Sequence, residues 1–258
     1  MKSLTLLILL TLSLYSRQTG DVSIGFSGMA TGYTKTNGLG ESSEIDSTFI
    51  QVMGMEVDSN LNLYTQNGGN IYINLNYVTA NGNLSDSILY INDQNTSGKT
   101  SSSSYLSNNL SSSLGIQLQI SKINFYAEGG FGYQFMRTSF INVYKEEYDF
   151  LYYKGEVGIS YNISNTIGIG LYAEIDNIFN ASIEEKYNSN TYNTVLKDTI
   201  RPTIGIPIIL SFDDSFDFYI NNEYQRIRFE AEKESTGESI QKSEFDLFRV
   251  SFGFLYTF

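Results

Sequence analysis

Ten segments of this sequence place an apolar or aromatic residue at every second position, and this feature restricts the fold more than any other. In the last segment, residues 249–258, the side chains on one side are Val250, Phe252, Phe254, Tyr256 and Phe258. A period of two is that of a β-strand, whose successive side chains point to opposite faces. One face of each segment therefore needs an apolar environment, which is either a protein core or lipid.

The links between these segments alternate in length. The segments are residues 21–33, 49–65, 70–79, 112–120, 123–135, 150–162, 166–176, 199–212, 216–229 and 249–258. Short links at 66–69, 121–122, 164–165 and 213–215 alternate with long polar links at 34–47, 80–109, 137–148, 177–197 and 230–243. Each segment is long enough to cross a bilayer as a tilted strand, which needs roughly 9–11 residues. Tight turns at one end and long links at the other are typical of transmembrane barrels.

The sequence therefore predicts an all-β fold: a single transmembrane antiparallel up-and-down barrel of ten strands, with short periplasmic turns and long extracellular loops. The loops are rich in Ser, Asn, Thr and Gly and net acidic, which predicts mobility. A soluble β-sandwich is the alternative, because it also buries one face of each strand. A sandwich rarely places all its short turns at one end, and it would have to enclose 17 Phe and 20 Tyr in one core.

The amino terminus predicts export. Lys2 is followed by an apolar run from Leu4 to Tyr15, which is the layout of a secretory signal peptide. We assign residues 1–16 to the signal peptide, with an approximate cleavage site, and residues 17–258 to the barrel. A buried N-terminal strand or helix is the alternative.

An exported all-β chain whose last strand alternates and ends in Phe258 resembles the Gram-negative outer-membrane β-barrel proteins. The resemblance implies an outer-membrane location and contact with lipid and lipopolysaccharide. It also implies that the barrel-assembly machinery, after periplasmic chaperones, recognises the last strand. The residues that match the assembly signal are Val250, Phe252, Phe254, Tyr256 and Phe258. Tyrosines such as Tyr77, Tyr133, Tyr153, Tyr161 and Tyr256 would form the interface girdles.

Composition argues against catalysis. The omptin proteases share a ten-stranded barrel, and their chemistry uses acidic residues and a His, but this chain has no His and no Cys. It cannot supply a Ser-His-Asp triad or a zinc site of the common kind. The adjacent acids at 146–147 and 184–185 fall in predicted loops and point to opposite faces, which is poor geometry for an acid/base pair. We predict no enzyme activity, no catalytic residue, no cofactor and no metal, and a net charge of −12 excludes a nucleic-acid partner.

The inward faces of the predicted strands carry charges at mid-height. The predicted lumen charge network consists of Glu128, Lys154, Glu156, Glu174, Arg201, Glu223 and Arg249. Further inward acids are Glu56, Asp58, Asp176 and Asp217, and the inward tyrosines are Tyr126, Tyr152, Tyr172 and Tyr219. We expect Arg201 and Arg249 to neutralise the four glutamates of the network.

Two functions follow from a charged lumen. If the charges pair and fill the barrel, the protein has a structural role, or an adhesion or binding role for an extracellular ligand that the sequence does not identify. If water fills the lumen, the excess of acids predicts a narrow, cation-preferring, porin-like channel.

Overall fold

The computed structural model describes residues 20–36, 50–66, 68–84, 87–89, 98–100, 103–140, 144–187, 190–213, 215–231 and 242–258. The predicted signal peptide, residues 1–16, lies outside the described residues. So do residues 37–49 and 232–241, which include much of two predicted loops.

The described chain forms thirteen strands, ten of which close into an antiparallel barrel. They are β1 (Gly20–Thr36), β2 (Ile50–Gln66), β3 (Gly69–Leu84), β4 (Ser87–Leu89), β5 (Gly98–Thr100), β6 (Ser103–Ile120), β7 (Ile123–Phe140), β8 (Tyr144–Asn162), β9 (Ile167–Tyr187), β10 (Asn190–Val195), β11 (Thr199–Ser211), β12 (Phe216–Glu230) and β13 (Lys242–Thr257). The barrel order is β1-β2-β3-β6-β7-β8-β9-β11-β12-β13, and β13 pairs with β1. The prediction of an all-β, ten-stranded antiparallel barrel is confirmed.

The first strand, β1, and the last strand, β13, pair along their whole length. Their outer ends meet at the end of the barrel that carries the short turns, which we call the tight-turn end. Here the Gly20 amide donates to the Phe258 carbonyl over 3.2 Å, and the Phe258 amide donates to the Gly20 carbonyl over 3.0 Å. Gly68, in the turn between β2 and β3, has a φ of 79°, a conformation that glycine adopts without steric cost. Both ends of the described chain and the tight turns therefore lie together.

The outer surface carries an apolar band. Side chains such as Ile24, Phe26, Ile204 and Phe254 are exposed although they are large and apolar. A band of this kind around a closed barrel faces lipid in transmembrane barrels. No helix among the described residues is long and apolar enough to cross a membrane.

Several strands continue past the apolar band into segments that the sequence analysis assigned to loops. β7, β8 and β9 cover most of residues 137–148 and 177–187, so the acid pairs at 146–147 and 184–185 lie in strands and not in loops. Beyond the band, the outward side chains are charged: Glu147 is bridged to Lys145 over 2.8 Å and to Lys186 over 3.4 Å. The prediction of loops there was wrong because outward residues no longer need to be apolar, and the alternation of polarity disappears.

A β-bulge in β9 also changes which alternate residues of the strand point into the barrel. Asn180 has a φ of 50°, and the pairing of β8 with β9 shifts between Asp149 and Leu151. Between the tight-turn end and the bulge, Asp176 and Ile178 point inward. Beyond the bulge, Ile183 and Glu185 are the buried residues. One extra residue exchanges the two faces of a strand, so a strict period of two fails here.

Candidate functional site: the barrel interior

The first cluster of the interior surrounds the ammonium group of Lys154. Its Nζ lies 2.8 Å from Glu128, 3.0 Å from Glu156 and 3.1 Å from Glu174. The antiparallel register places these glutamates directly opposite one another on β7, β8 and β9. Like charges at opposed positions repel, and the side chains here are mostly buried, so Lys154 supplies the compensating charge.

The second cluster surrounds Arg249. Its Nη2 lies 2.7 Å from Glu223, and its Nη1 lies 4.0 Å from Glu56. Glu56 also accepts hydrogen bonds from the Tyr219 hydroxyl over 2.8 Å and the Ser251 hydroxyl over 3.1 Å. One guanidinium therefore holds two carboxylates from β2 and β12.

The third pair, Arg201 and Asp176, lies deeper. Arg201 is 1% exposed and Asp176 is 0% exposed, and the Arg201 Nη2 lies 2.5 Å from an oxygen of Asp176. Arg201 also donates to Gln134, and its guanidinium lies 4.4 Å from the ring centre of Tyr152. This pair lies farther from the tight-turn end than the Lys154 cluster, because Asp176 follows Glu174 by two residues on β9.

The pairing differs from the one expected from sequence. All seven predicted network residues point inward, but Lys154 holds three of the glutamates, Arg249 holds Glu223, and Arg201 is bonded to Asp176. The cause is the register, which sets Asp176 directly opposite Arg201. The row of three glutamates is centred on Glu156, two residues closer to the tight-turn end than Lys154, which lies opposite Asp176.

Five tyrosines of the interior lie against glycines, four of them on the neighbouring strand and one, Tyr219, on a strand two away from that of its glycine. The pairs are Tyr72 with Gly115, Tyr126 with Gly158, Tyr152 with Gly132, Tyr172 with Gly205 and Tyr219 with Gly25. A methyl group at any of these glycines would come within 2.1–2.3 Å of the ring or its hydroxyl. Four of the hydroxyls donate to the carboxylates of Glu128, Glu156, Glu223 and Glu56, and that of Tyr152 donates to Asn109. The tyrosines thus cover glycine gaps and also orient the acids.

Gly115→Ala should test these contacts between tyrosine and glycine. Its new methyl group would lie 2.2 Å from the Tyr72 ring, so the ring must move away from Glu128, and overpacking of this kind costs about 1–3 kcal/mol. Gly28→Ala is the matched control, because nothing lies within 4 Å of a methyl group there. Chemical denaturation of the two refolded variants would measure the difference. Equal losses of stability in the two variants would assign the effect to strand glycines in general, and not to the contact between Tyr72 and Gly115.

On the side of Arg201 away from the tight-turn end, the lumen contains buried apolar side chains, which we call the aromatic layer. Its members Tyr105, Met136, Tyr148, Phe150, Ile178, Ile227, Phe229 and Phe245 are each at most 1% exposed. The Tyr148 ring lies 5.3 Å from both Phe229 and Phe245. Among the described residues, the side chains of this layer are shielded from water.

The aromatic layer was not apparent from the sequence. Tyr148 fell in a predicted loop, and Phe245 fell between the assigned segments. The inward position of Phe150 follows from the outward alternation of Leu151 and Tyr153, so this part of the layer could have been found. Among the described residues, no group of three or more acids is placed to hold a metal ion.

Comparison with known proteins identifies the fold. No protein-family model and no curated protein matches the chain. The outer membrane protease OmpT from Escherichia coli superposes with a TM-score of 0.60 at 11% identity, over 94% of this chain and 98% of that chain. The chain has the fold of an outer-membrane β-barrel. The translocator domain of autotransporter NalP from Neisseria meningitidis gives a TM-score of 0.43 at 11% identity, over 99% of this chain and 95% of that chain. The Pseudomonas putida toluene transporter TodX gives 0.38 at 9% identity, over 96% and 92%. At 11% identity, the likeness to OmpT shows the fold alone.

Proposed function

We propose that this protein is a Gram-negative outer-membrane β-barrel with a closed lumen and a non-enzymatic, structural or binding role. The aromatic layer is the observation that carries the proposal, since its side chains are shielded from water on every side. The predicted signal peptide would export the chain, and the tight-turn end would face the periplasm. Without a path for solute, function rests on the outer surface.

The absence of His and Cys from the sequence supports the non-enzymatic part of this proposal. OmpT is a protease, but 11% identity carries none of that activity to this chain. The inward carboxylates Glu56, Glu128 and Glu223 are engaged by cations or tyrosine hydroxyls. They act as a structural network in this proposal.

The charged strand extensions above the apolar band are the proposed contact surface. Arg226 and Arg228 of β12 bond Glu244 of β13, and Lys186 bonds Glu184 of β9. Mixed charge at this height suits contact with the head groups of lipopolysaccharide or with an extracellular ligand. A rigid barrel that presents such extensions suits adhesion or envelope stabilisation.

A narrow cation-preferring pore is the second candidate. The observation in its favour is the acidic lining of the lumen below the aromatic layer, where carboxylates outnumber cations. In this alternative the aromatic layer opens, and the acids select the permeating ion.

Single-channel recording in a planar bilayer separates the two candidates. We expect no stable conductance step from the refolded wild-type barrel. Phe229→Ala with Phe245→Ala should remove two rings of the aromatic layer and allow a cation-preferring current, because the acids remain. The control is Phe26→Ala with Phe252→Ala, which removes two outward rings 6.4 Å apart. Stable steps from the wild type would favour the pore.

The role of the last strand in assembly is also a proposal. Deleting Phe258 removes two backbone hydrogen bonds to Gly20 together with its ring, whereas Phe258→Ala removes only the ring. If the assembly machinery recognises the ring, Phe258→Ala should reduce the membrane-inserted, heat-modifiable form nearly as strongly as the deletion. Gel mobility of outer-membrane fractions measures this. Normal levels of Phe258→Ala would leave barrel closure, and not recognition, as the function of the residue.

A further inference from the structure

A cavity of about 450 Å³ lies in the barrel interior, and we call it the chamber. Its lining includes Asn70 and Asn124, which lie next to the tight turns, and Tyr105, which belongs to the aromatic layer. Its volume falls within the range of about 300–1,000 Å³ that is usual for small-molecule sites. The chamber is therefore large enough for a small molecule, and its lining determines which class of molecule fits.

Two half-buried tyrosines of the chamber, Tyr126 and Tyr172, each have one ring face against the barrel wall. A methyl carbon added at Gly158 would lie 2.3 Å from Cε1, 2.4 Å from Cζ and 2.6 Å from the hydroxyl oxygen of Tyr126. Nearly equal distances to three consecutive atoms place this carbon over the face of the ring and not beside its edge. A methyl carbon at Gly205 would lie 2.2, 2.3 and 2.4 Å from Cζ, Cε1 and the hydroxyl oxygen of Tyr172. The opposite face of each ring therefore points into the chamber.

Hydrogen bonds hold both rings in this orientation. The Tyr126 hydroxyl donates to Glu156 over 2.6 Å. The Tyr172 hydroxyl donates to Glu223 over 2.7 Å and accepts a hydrogen bond from Asn221 over 3.0 Å. Each ring is fixed at its hydroxyl end and along one face, and a surface that is already ordered binds a ligand at a low cost in entropy.

The strand register places the two rings in one row across the wall. Gly158 of β8 lies opposite both Tyr126 of β7 and Tyr172 of β9. Because neighbouring strands are about 4.8 Å apart, the two tyrosines lie about 10 Å apart along the wall. Two aromatic faces at this spacing suit an extended ligand that is built from successive rings.

An amide group stands beside these rings. Gln117 of β6 lies opposite Tyr126 and lines the chamber. Within the described part of the chain, its side chain makes no hydrogen bond. An amide carries both donors and an acceptor, as a hydroxyl group does, so the two pair in either direction. The row therefore offers apolar ring faces together with a hydrogen-bonding group for hydroxyls.

The charged groups near this row favour an uncharged ligand. The carboxylates of the Lys154 cluster are bonded to its ammonium group, and Glu223 is bonded to Arg249. A ligand with its own charge would compete with these ion pairs, whereas a hydroxyl group can donate to a carboxylate and leave the charge balance unchanged. Saccharides combine this property with apolar C–H faces that pack on aromatic rings.

We propose that the chamber binds a short uncharged oligosaccharide from the side of the tight turns. Its sugar rings stack on the inward faces of Tyr126 and Tyr172, and its hydroxyl groups bond Gln117 and the neighbouring carboxylates. The orientation given under the proposed function makes the periplasm the source of this ligand. The binding itself does not depend on that orientation or on the role of the outer surface.

Saturation-transfer NMR on the refolded barrel, in a detergent without a sugar head group, tests the proposal. Maltotriose and tri-N-acetylchitotriose are the probes, and irradiation of the tyrosine ring protons should transfer saturation to the C–H protons of at least one of them. Tyr126→Leu should weaken this binding about tenfold, because one stacking face is lost. The matched control is Tyr161→Leu, which removes an exposed tyrosine of the outer surface and should leave binding unchanged.

Gln117→Leu is a second variant, which keeps every tyrosine and every ion pair of the chamber and should therefore fold normally. It should weaken binding about fivefold through the loss of hydrogen bonds. Its control is Gln119→Leu on the same strand, because Gln119 does not line the chamber.

Three outcomes would overturn the proposal. The first is that neither trisaccharide binds the wild type at millimolar concentration, and the second is that each variant loses no more binding than its control. The third is binding of adenosine but of neither trisaccharide, which would assign the ring faces to a flat aromatic ligand. None of these results would affect the closed lumen, which the conductance experiment tests.

Discussion

Lys154→Met should be the most destabilising single substitution in the barrel interior. It leaves Glu128, Glu156 and Glu174 together without the ammonium group that now lies 2.8–3.1 Å from each of them. Removing one partner from a buried ion pair costs about 3–5 kcal/mol, and here three carboxylates lose the same partner. The free energy of unfolding in denaturant, measured on the refolded protein, should fall accordingly.

Lys186→Met is the matched control for this substitution. Lys186 also contacts two carboxylates, those of Glu147 and Glu184, but it lies on the water-exposed outer surface. Exposed ion pairs contribute little to stability, so the unfolding midpoint should hardly change. Lys154→Met with Glu156→Gln should recover part of the loss, because one of the repelling charges is removed. Similar midpoints for Lys154→Met and Lys186→Met would show that water fills the lumen around Lys154.

Arg201→Met should have the second largest effect. It leaves the carboxylate of Asp176 fully buried and removes the cation stacked on Tyr152, at a cost of about 3–5 kcal/mol. Chemical denaturation monitored by circular dichroism measures the loss. Because Arg201 lies directly below the aromatic layer, the variant should also unfold more rapidly.

Two comparisons distinguish a buried charge from a general loss of packing at this position. Arg226→Met removes an arginine of the outer surface that bonds Glu244, and it should be nearly neutral. Arg201→Met with Asp176→Asn removes the buried charge as well as its partner, and it should recover most of the stability. If the double variant were no more stable than Arg201→Met, the loss would come from packing and not from the carboxylate of Asp176.

The sequence alone determined the strand number and the face to which most residues point. The ten apolar alternations correspond to the ten barrel strands, because two residues per repeat is a property of extended backbone and needs no tertiary information. The inward position of Lys154, Arg201 and Arg249 followed from the same period. Residues 1–16 lie outside the described chain, so the signal peptide stays a prediction.

Tertiary structure decided which charges meet and which side chains form the aromatic layer. The partner of Arg201 is Asp176, and that of Glu128 is Lys154, because the register between neighbouring strands sets the height of each side chain. The aromatic layer, too, joins residues that are distant in sequence, such as Tyr148 and Phe245. The sequence pattern also did not reveal how far the strands extend past the apolar band, or the change of face at Asn180. Outside lipid the outward side chains are polar, and one extra residue in a strand exchanges its faces.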